Sequence, residues 1–286
     1  MPGDNTTILK VGEYFMAVEG LAMMRHILTD PAKGRARGED IRRIVENFND
    51  FPQSLDLPVT EHDVESGYSR WAPKYDTSDN MAIEQEEPVV RGLIELLPRG
   101  DALDAACGTG RHAATLAQLG HTVIGVDATE AMLAIARRKV PNAGFRIGAL
   151  ESLPVDTASV DLVTCALALT HVLDLAPVMR EFARVLRPGG RAVISDMHPF
   201  AAMTSAVAAF GTDDGSPGVP FVVNRVHQLG EYIAAFHGAG LTIEACFEPC
   251  ITDEMVPRFP TYGAFPDGTR DALLGLPWLL IWQLAR

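Results

Sequence analysis

Positive charge is scarce in this 286-residue chain: 24 Lys and Arg stand against 37 Asp and Glu, a formal net charge of −13. A surface with that balance repels a phosphate backbone, so no nucleic-acid partner is expected. Cysteine is also rare. The four residues Cys107, Cys165, Cys246 and Cys250 include no C-x-x-C pair. Neither a disulfide framework nor structural zinc is indicated, and a reducing cytoplasm is the expected compartment. Long apolar runs are missing too. Val11–Leu28 carries Glu13, Glu19 and Arg25, and Ala272–Ala285 is broken by Gly275, Pro277 and Gln283. A membrane-spanning helix needs about 20 apolar residues, so no membrane partner is expected. No basic-then-apolar leader opens the chain. Repeats and low-complexity tracts are likewise lacking. What is present, 47% hydrophobic and 21% charged residues, is the composition of a globular protein with ample core.

The first sixty residues differ from the rest. Val11–Leu28 is apolar nearly all round, the pattern of a helix buried on most faces. Pro31–Gly38 reads as a small basic turn that breaks it. Ile41, Ile44, Val45 and Phe48 then form a second helical stripe. Asp50–Pro58, with two prolines, reads as a connector. Residues 1–60 are therefore expected to form an N-terminal helical segment, and 61–286 the main domain.

From about residue 89, β-type runs alternate with helical ones. The strand candidates are Ala102–Ala106, Thr122–Val126, Gly144–Ile147, Val160–Cys165, Arg191–Ser195, Leu241–Phe247 and Trp278–Leu284. Helical runs such as Arg111–Gln118, Ala131–Lys139, Leu175–Leu186 and Glu231–His237 fill the gaps. Right-handed crossovers then predict a doubly wound α/β sheet of seven mostly parallel strands. Two stretches, His198–His227 and Ile251–Pro277, are longer than a crossover needs and rich in Gly and Pro, as functional loops are.

Leu103-Asp104-Ala105-Ala106-Cys107-Gly108-Thr109-Gly110 follows the first strand of this sheet and opens a helix. Gly108 and Gly110 let main chain approach a ligand closely. Asp127, at the end of the second strand, lies 19 residues beyond Gly108. A doubly wound sheet places a carboxylate there to accept from ribose hydroxyls. The run G-T-G-R-H-A puts Ala113 where a dinucleotide fingerprint has its third glycine, and Asp104 would oppose a pyrophosphate. An acid at that place suits an ammonium group. A ribose, a base and an amino-acid tail together describe S-adenosylmethionine.

The chain resembles the class I S-adenosylmethionine-dependent methyltransferases, in the branch of quinone-biosynthesis and small-molecule enzymes. The likeness rests on Asp104–Gly110, Asp127, Gly148-Ala149-Leu150-Glu151-Ser152-Leu153-Pro154, Leu169-Thr170-His171-Val172 and Arg184-Val185-Leu186-Arg187-Pro188-Gly189-Gly190. It covers roughly residues 65–197 and implies a Rossmann-like enzyme whose N-terminal helices form a lid. Tyr68-Ser69-Arg70-Trp71-Ala72-Pro73-Lys74-Tyr75-Asp76 resembles the family's lead-in, whose aromatics, here Tyr68 and Tyr75, close over the cofactor. The resemblance implies a cofactor site of Asp104, Ala106, Gly108, Gly110, Asp127, Ala128, Met132 on the adenine, Ala149, Leu150, Glu151, Ala166 and His171. Ala106 replaces the first motif glycine, and Ala149 replaces the acid that would accept from the adenine amino group. S-adenosylhomocysteine would be the product, and no convincing metal-ligand cluster is present.

Candidate catalytic bases are His198 and His171, which follow strand ends where such sheets bind ligands. Candidate acceptor-binding residues are Tyr14 and Phe15 on the first helix, His198, Phe200, Phe221 and His227. With Phe259, Tyr262 and Phe265, these aromatic loops suit a flat, apolar acceptor, expected to be a small aromatic natural-product intermediate methylated on carbon, oxygen or nitrogen. No [DN]-P-P-[YFW] follows the fourth strand, where the chain reads Cys165-Ala166-Leu167-Ala168, so a nucleic-acid methylase is disfavoured. An RNA- or protein-directed enzyme, a cofactor-binding subunit without catalysis, and a homo-oligomer stay open.

Overall fold

The computed structural model describes residues 5–204 and 206–286, so the first four residues of the expected N-terminal segment lie outside it. In chain order the first elements are β1 (Asn5–Lys10), α1 (Val11–His26), α2 (Pro31–Glu46), β2 (Asp56–His62), α3 (Val64–Trp71) and α4 (Met81–Glu95). There follow β3 (Asp101–Ala105), α5 (Arg111–Gln118), β4 (Thr122–Asp127), α6 (Glu130–Lys139), β5 (Gly144–Ile147), β6 (Val160–Ala166), α7 (Leu175–Val185) and β7 (Leu186–Met197). The last are α8 (Pro199–Met203), β8 (Ala208–Ala209), β9 (Val219–Val222), α9 (Leu229–Gly238), β10 (Thr242–Phe247), α10 (Pro266–Leu273) and β11 (Leu279–Ala285). No helix among the described residues is long and apolar enough to cross a membrane. The elements divide into two compact units.

The larger unit comprises His62–Ala208, Val222–Pro249 and Trp278–Arg286. Its seven-stranded sheet has the order β10-β11-β7-β6-β3-β4-β5. The five strands from β7 to β5 run parallel; β11 and β10 add antiparallel. The strands are those the apolar runs predict, within a residue or two except at the start of β7, which begins at Leu186. Helices cover the sheet through two clusters. In one, Val178, Met179 and Phe182 of α7 meet Tyr232 and Phe236 of α9. In the other, Val90 and Ile94 of α4 meet Ala113 and Leu116 of α5. Helix α7 starts where the Asp174 carboxylate accepts from Ala176 N–H, and its apolar residues recur at three- and four-residue spacings that face one side. Parallel strands end together, so the turns after β3, β4 and β6 gather at one edge, where ligands bind in such sheets.

The smaller unit comprises residues up to Glu61 with Ala209–Phe221 and Cys250–Pro277. It differs from the expectation in three ways. It holds a four-stranded sheet in the order β1-β2-β9-β8, so Asp50–Pro58 is a connector only until Asp56, where β2 begins. Pro31–Gly38 is not a turn after α1 but the first half of α2: Pro31 stands in the first turn, and the Asp30 side chain accepts from Lys33 N–H. Two later segments join it, so the stretches read as long loops contain β8, β9 and α10. Its core brings Phe15 against Phe265 and Ile44, and Val18 and Ala22 against Ala272. The Arg25 guanidinium donates to the carbonyls of Asp271, Ala272 and Leu274 at 2.7–3.2 Å, closing the end of α10.

A buried acid lies in this unit. Glu19 of α1 is 1% exposed, and neither carboxylate oxygen finds a donor among the described residues. The Arg37 Nη1 stands 3.6 Å away. Burial pushes the Glu19 pKa up to about 7, with Arg37 and Arg43 pulling it back and Asp40 and Asp271 adding to the rise.

Candidate active site

The chain turns sharply between β3 and α5. Ala106, Gly108 and Gly110 all take positive φ, +54°, +52° and +81°. At Gly108 a Cβ would meet nothing within 4 Å, so the main chain lies open to a ligand there. At Ala106 an alanine holds the left-handed conformation, a local strain of about 1–2 kcal/mol. The turn is fixed from two sides. Gly108 N–H donates to Asp127 Oδ2 and Thr129 N–H to Asp127 Oδ1, each at 2.8 Å. Thr109 Oγ1 donates to Asp76 at 2.6 Å, and Lys139 reaches both Asp76 and Thr109. Burial raises the Asp127 pKa, and the main-chain donors draw it back toward the charged form.

Beside this turn lies an open cavity of about 240 Å³. Twelve of the expected cofactor residues line it: Tyr68, Tyr75, Ala106, Gly108, Asp127, Ala128, Met132, Ala149, Leu150, Glu151, Ala166 and His171. Val64, Thr129, Gly148, Leu167, Ala168 and Val172 line it as well, residues not among the expected cofactor set. The charged side chains on the wall are Asp127 and Glu151, with no Lys or Arg. Such a wall rejects a pyrophosphate and suits a ligand carrying positive charge.

Asp104 and Gly110 are not on the wall. Gly110 caps α5, where a Cβ would come within 3.1 Å of the Ala136 methyl. Asp104 is buried below the turn, and Thr164 donates to its Oδ1 at 2.9 Å. Burial raises its pKa, while His112, Thr164, Arg111 and Ala113 N–H favour its charge. Asp104 thus borders a polar layer beneath the cavity, and its Oδ2 has no hydrogen-bond partner among the described residues. The layer centres on Glu86 of α4, fully buried, which the sequence reading missed. Arg111 donates to it at 2.6 Å, His112 at 2.9 Å and Ser195 at 2.8 Å. Burial pushes Glu86 up, and these three partners outweigh it, bringing its pKa to about 2. Arg111 and His112 are the first two residues of α5, so Glu86 holds the helix that follows the turn. A sequence signal existed: Glu86 interrupts an Ala82-Val90-Ile94 stripe at four-residue spacing.

Tyr68, Trp71, Tyr75 and His171 form an aromatic group. Tyr68 stacks on Trp71 at 5.7 Å, Trp71 meets Tyr75 edge-on at 4.9 Å, and Tyr68 meets His171 edge-on at 5.3 Å. His171 Nδ1 lies 3.2 Å from the Val223 carbonyl, which only accepts, so Nδ1 carries the proton. Nε2 then accepts from the Tyr68 hydroxyl at 2.8 Å. Burial pushes the His171 pKa down to about 4; the Val223 carbonyl opposes that shift and Arg225 adds to it.

The other expected acceptor residues are not on this wall. His198 Nδ1 accepts from Phe200 N–H, capping α8, and its Nε2 faces Glu248 at 3.0 Å. Both ring nitrogens are thus engaged, and His198 is not among the residues that line the cavity. His227 Nε2 donates to the Val172 carbonyl at 3.1 Å, and its ring meets Tyr232 edge-on. Phe200 is half-buried in the first turn of α8, and Phe221 is half-buried in β9. Tyr14 and Phe15 belong to the core of the smaller unit, as do Phe259 and Phe265, so none of these rings can be read as loop surface.

The residues present fit an adenosyl cofactor. The turn exposes main chain at Gly108, a fixed carboxylate stands at the end of β4 in ribose position, and the wall holds acid without cation. Met132 and Leu150 offer apolar surface for a base.

The methyltransferase domain family matches residues 103–194. A probable S-adenosylmethionine-dependent methyltransferase of Mycolicibacterium smegmatis is 31% identical over 194 residues, 63% of this chain and 72% of that protein. The demethylmenaquinone methyltransferase of Chlorobaculum tepidum is 46% identical over 93 residues, 32% of this chain and 38% of that one. For two of the curated relatives the chain spans only about a third of their length. Among solved structures, an S-adenosylmethionine-dependent methyltransferase from Mesorhizobium loti superposes with a TM-score of 0.53 at 25% identity, over 71% of this chain and 98% of that one.

Proposed function

The chain belongs to the class I S-adenosylmethionine-dependent methyltransferases, and from that premise we propose that it methylates a small, uncharged, flat acceptor. The observation that carries the reading is the composition of the cavity wall, where Asp127 and Glu151 meet aromatic and small apolar groups and no Lys or Arg is present. S-adenosylmethionine, when bound, supplies a methyl group already made electrophilic by its sulfonium. Asp127 would hold the ribose hydroxyls, and the main chain at Ala106 and Gly108 the amino-acid tail. Met132 and Leu150 would pack on the base, with the main chain of Ala149 and Leu150 in place of the missing acid. Tyr68 and Tyr75 exclude water from the reacting centre. Holding an acceptor about 3 Å from the methyl carbon can supply roughly 7–11 kcal/mol of barrier reduction. An anionic acceptor would find no cation on this wall to hold it, so a neutral one is favoured. The aromatic support for a flat acceptor comes from Tyr68 and Tyr75 rather than from the long loops.

Calorimetry with S-adenosylhomocysteine against NADH tests the cofactor, with binding expected only for the first. Transfer of labelled methyl to phenols, quinols, indoles, amines, a peptide mixture and RNA then tests the acceptor. Turnover of RNA or peptides alone would overturn the small-molecule reading.

A further inference from the structure

We propose that Tyr68 and His171 act together as a two-member proton relay, with Tyr68 Oη as the atom presented to the acceptor. The inference rests on the methyltransferase reading above.

His171 has one lone pair free of a proton, on Nε2, and the Tyr68 hydroxyl covers it at 2.8 Å. Its other nitrogen is committed to the Val223 carbonyl. An acceptor therefore cannot reach the imidazole except through the phenol, and both side chains line the cavity. The tautomer is locked in the orientation a relay needs, since Val223 can stabilise the N–H of an imidazolium as well as that of the neutral ring. The charged and titratable groups around the pair are Tyr75, Asp127 and Asp196 near the phenol and Arg225 near the imidazole.

The step balances as follows. The acceptor oxygen's electron pair forms the bond to the methyl carbon while the carbon–sulfur pair stays with sulfur. The acceptor proton passes to Tyr68 Oη as the phenolic proton passes to His171 Nε2. The site loses one positive charge at sulfur and gains one at the imidazole, and the imidazolium then gives its proton to solvent.

Two measurements test the relay. Nitrogen-15 NMR of His171 in the complex with S-adenosylhomocysteine needs no acceptor. It is expected to show a neutral ring protonated on Nδ1 at pH 7, with the Nε2 resonance moving in Tyr68→Phe. An Nε2-protonated or cationic ring would overturn the proposal. In turnover with 1-naphthol and 1,4-naphthoquinol, Tyr68→Phe should lower kcat about a hundredfold or more. The wild-type kcat should stay flat from pH 8 down to about pH 5. Unchanged kcat in Tyr68→Phe would sink the relay alone. Absence of S-adenosylhomocysteine binding would overturn the underlying reading and the relay with it.

Discussion

Glu86 in the larger unit and Glu19 in the smaller are buried alike, at 0% and 1% exposure, yet their acidities lie far apart. Burial pushes both upward. At Glu86 three side-chain donors at 2.6–2.9 Å outweigh it and leave a pKa of about 2. At Glu19 no donor reaches either oxygen, Arg37 stays at 3.6 Å, and the pKa rises to about 7. A cation nearby is therefore a poor substitute for hydrogen bonds made to the carboxylate itself. The larger unit uses its buried charge to hold the first turn of α5 in place. The smaller unit carries one that it tolerates best when protonated.

The strongest way to break this contrast is Glu86→Leu. It strands Arg111 and His112 without their acceptor and should cost about 3–5 kcal/mol in urea unfolding; a loss below about 1 kcal/mol would show that the network contributes little. Next is the pH dependence of Glu19. Its folded pKa lies above the ordinary 4.5, so between about pH 4.5 and 7 the folded chain binds a proton that the unfolded chain releases. Stability should fall as pH rises through that window, by at most about 3 kcal/mol. Glu19→Gln should flatten the slope, measured by urea midpoints at pH 5 and pH 8. A third carboxylate, Asp127, stands between the two, half-exposed with two main-chain donors. Asp127→Asn should weaken S-adenosylhomocysteine binding by about 1.5–3 kcal/mol, roughly ten- to a hundredfold, by calorimetry. The smallest effect belongs to Ala106→Gly, which relieves a positive φ and should raise stability by about 1 kcal/mol without changing affinity.

The two units also differ in how much of them could be read beforehand. Strands β3, β4 and β6 of the parallel sheet are short apolar runs set between helical ones, because buried strands leave little choice of residue, whereas the edge strand β5 is largely exposed. The antiparallel sheet gives no such signal. β1 reads Asn-Thr-Thr-Ile-Leu-Lys, β2 contains Pro58 and three acidic or basic side chains, and β8 has two residues. Its pairing depends on segments far apart in sequence. In the cavity, the turn and Asp127 were legible because backbone geometry demands particular residue types there, and the Gly148–Glu151 wall through the resemblance to known methyltransferases. His198 and His227 were not separable from His171 by position alone. Only the hydrogen-bond partners distinguish a capping imidazole from one that faces a cavity.

The smaller unit completes its core with α10 and its cap: Phe265 and Ala272 meet Phe15 and Ala22 of α1, far apart in sequence. A ribosome that adds about 5–20 residues each second leaves α1 outside the exit tunnel for roughly 10–50 s before its partner emerges. During that interval the apolar stripe of α1 has no native neighbour from α10. Nascent chains should therefore recruit holding chaperones through residues 11–26, and slowing translation should lower the soluble yield more than a similar delay does for proteins whose domains close in order.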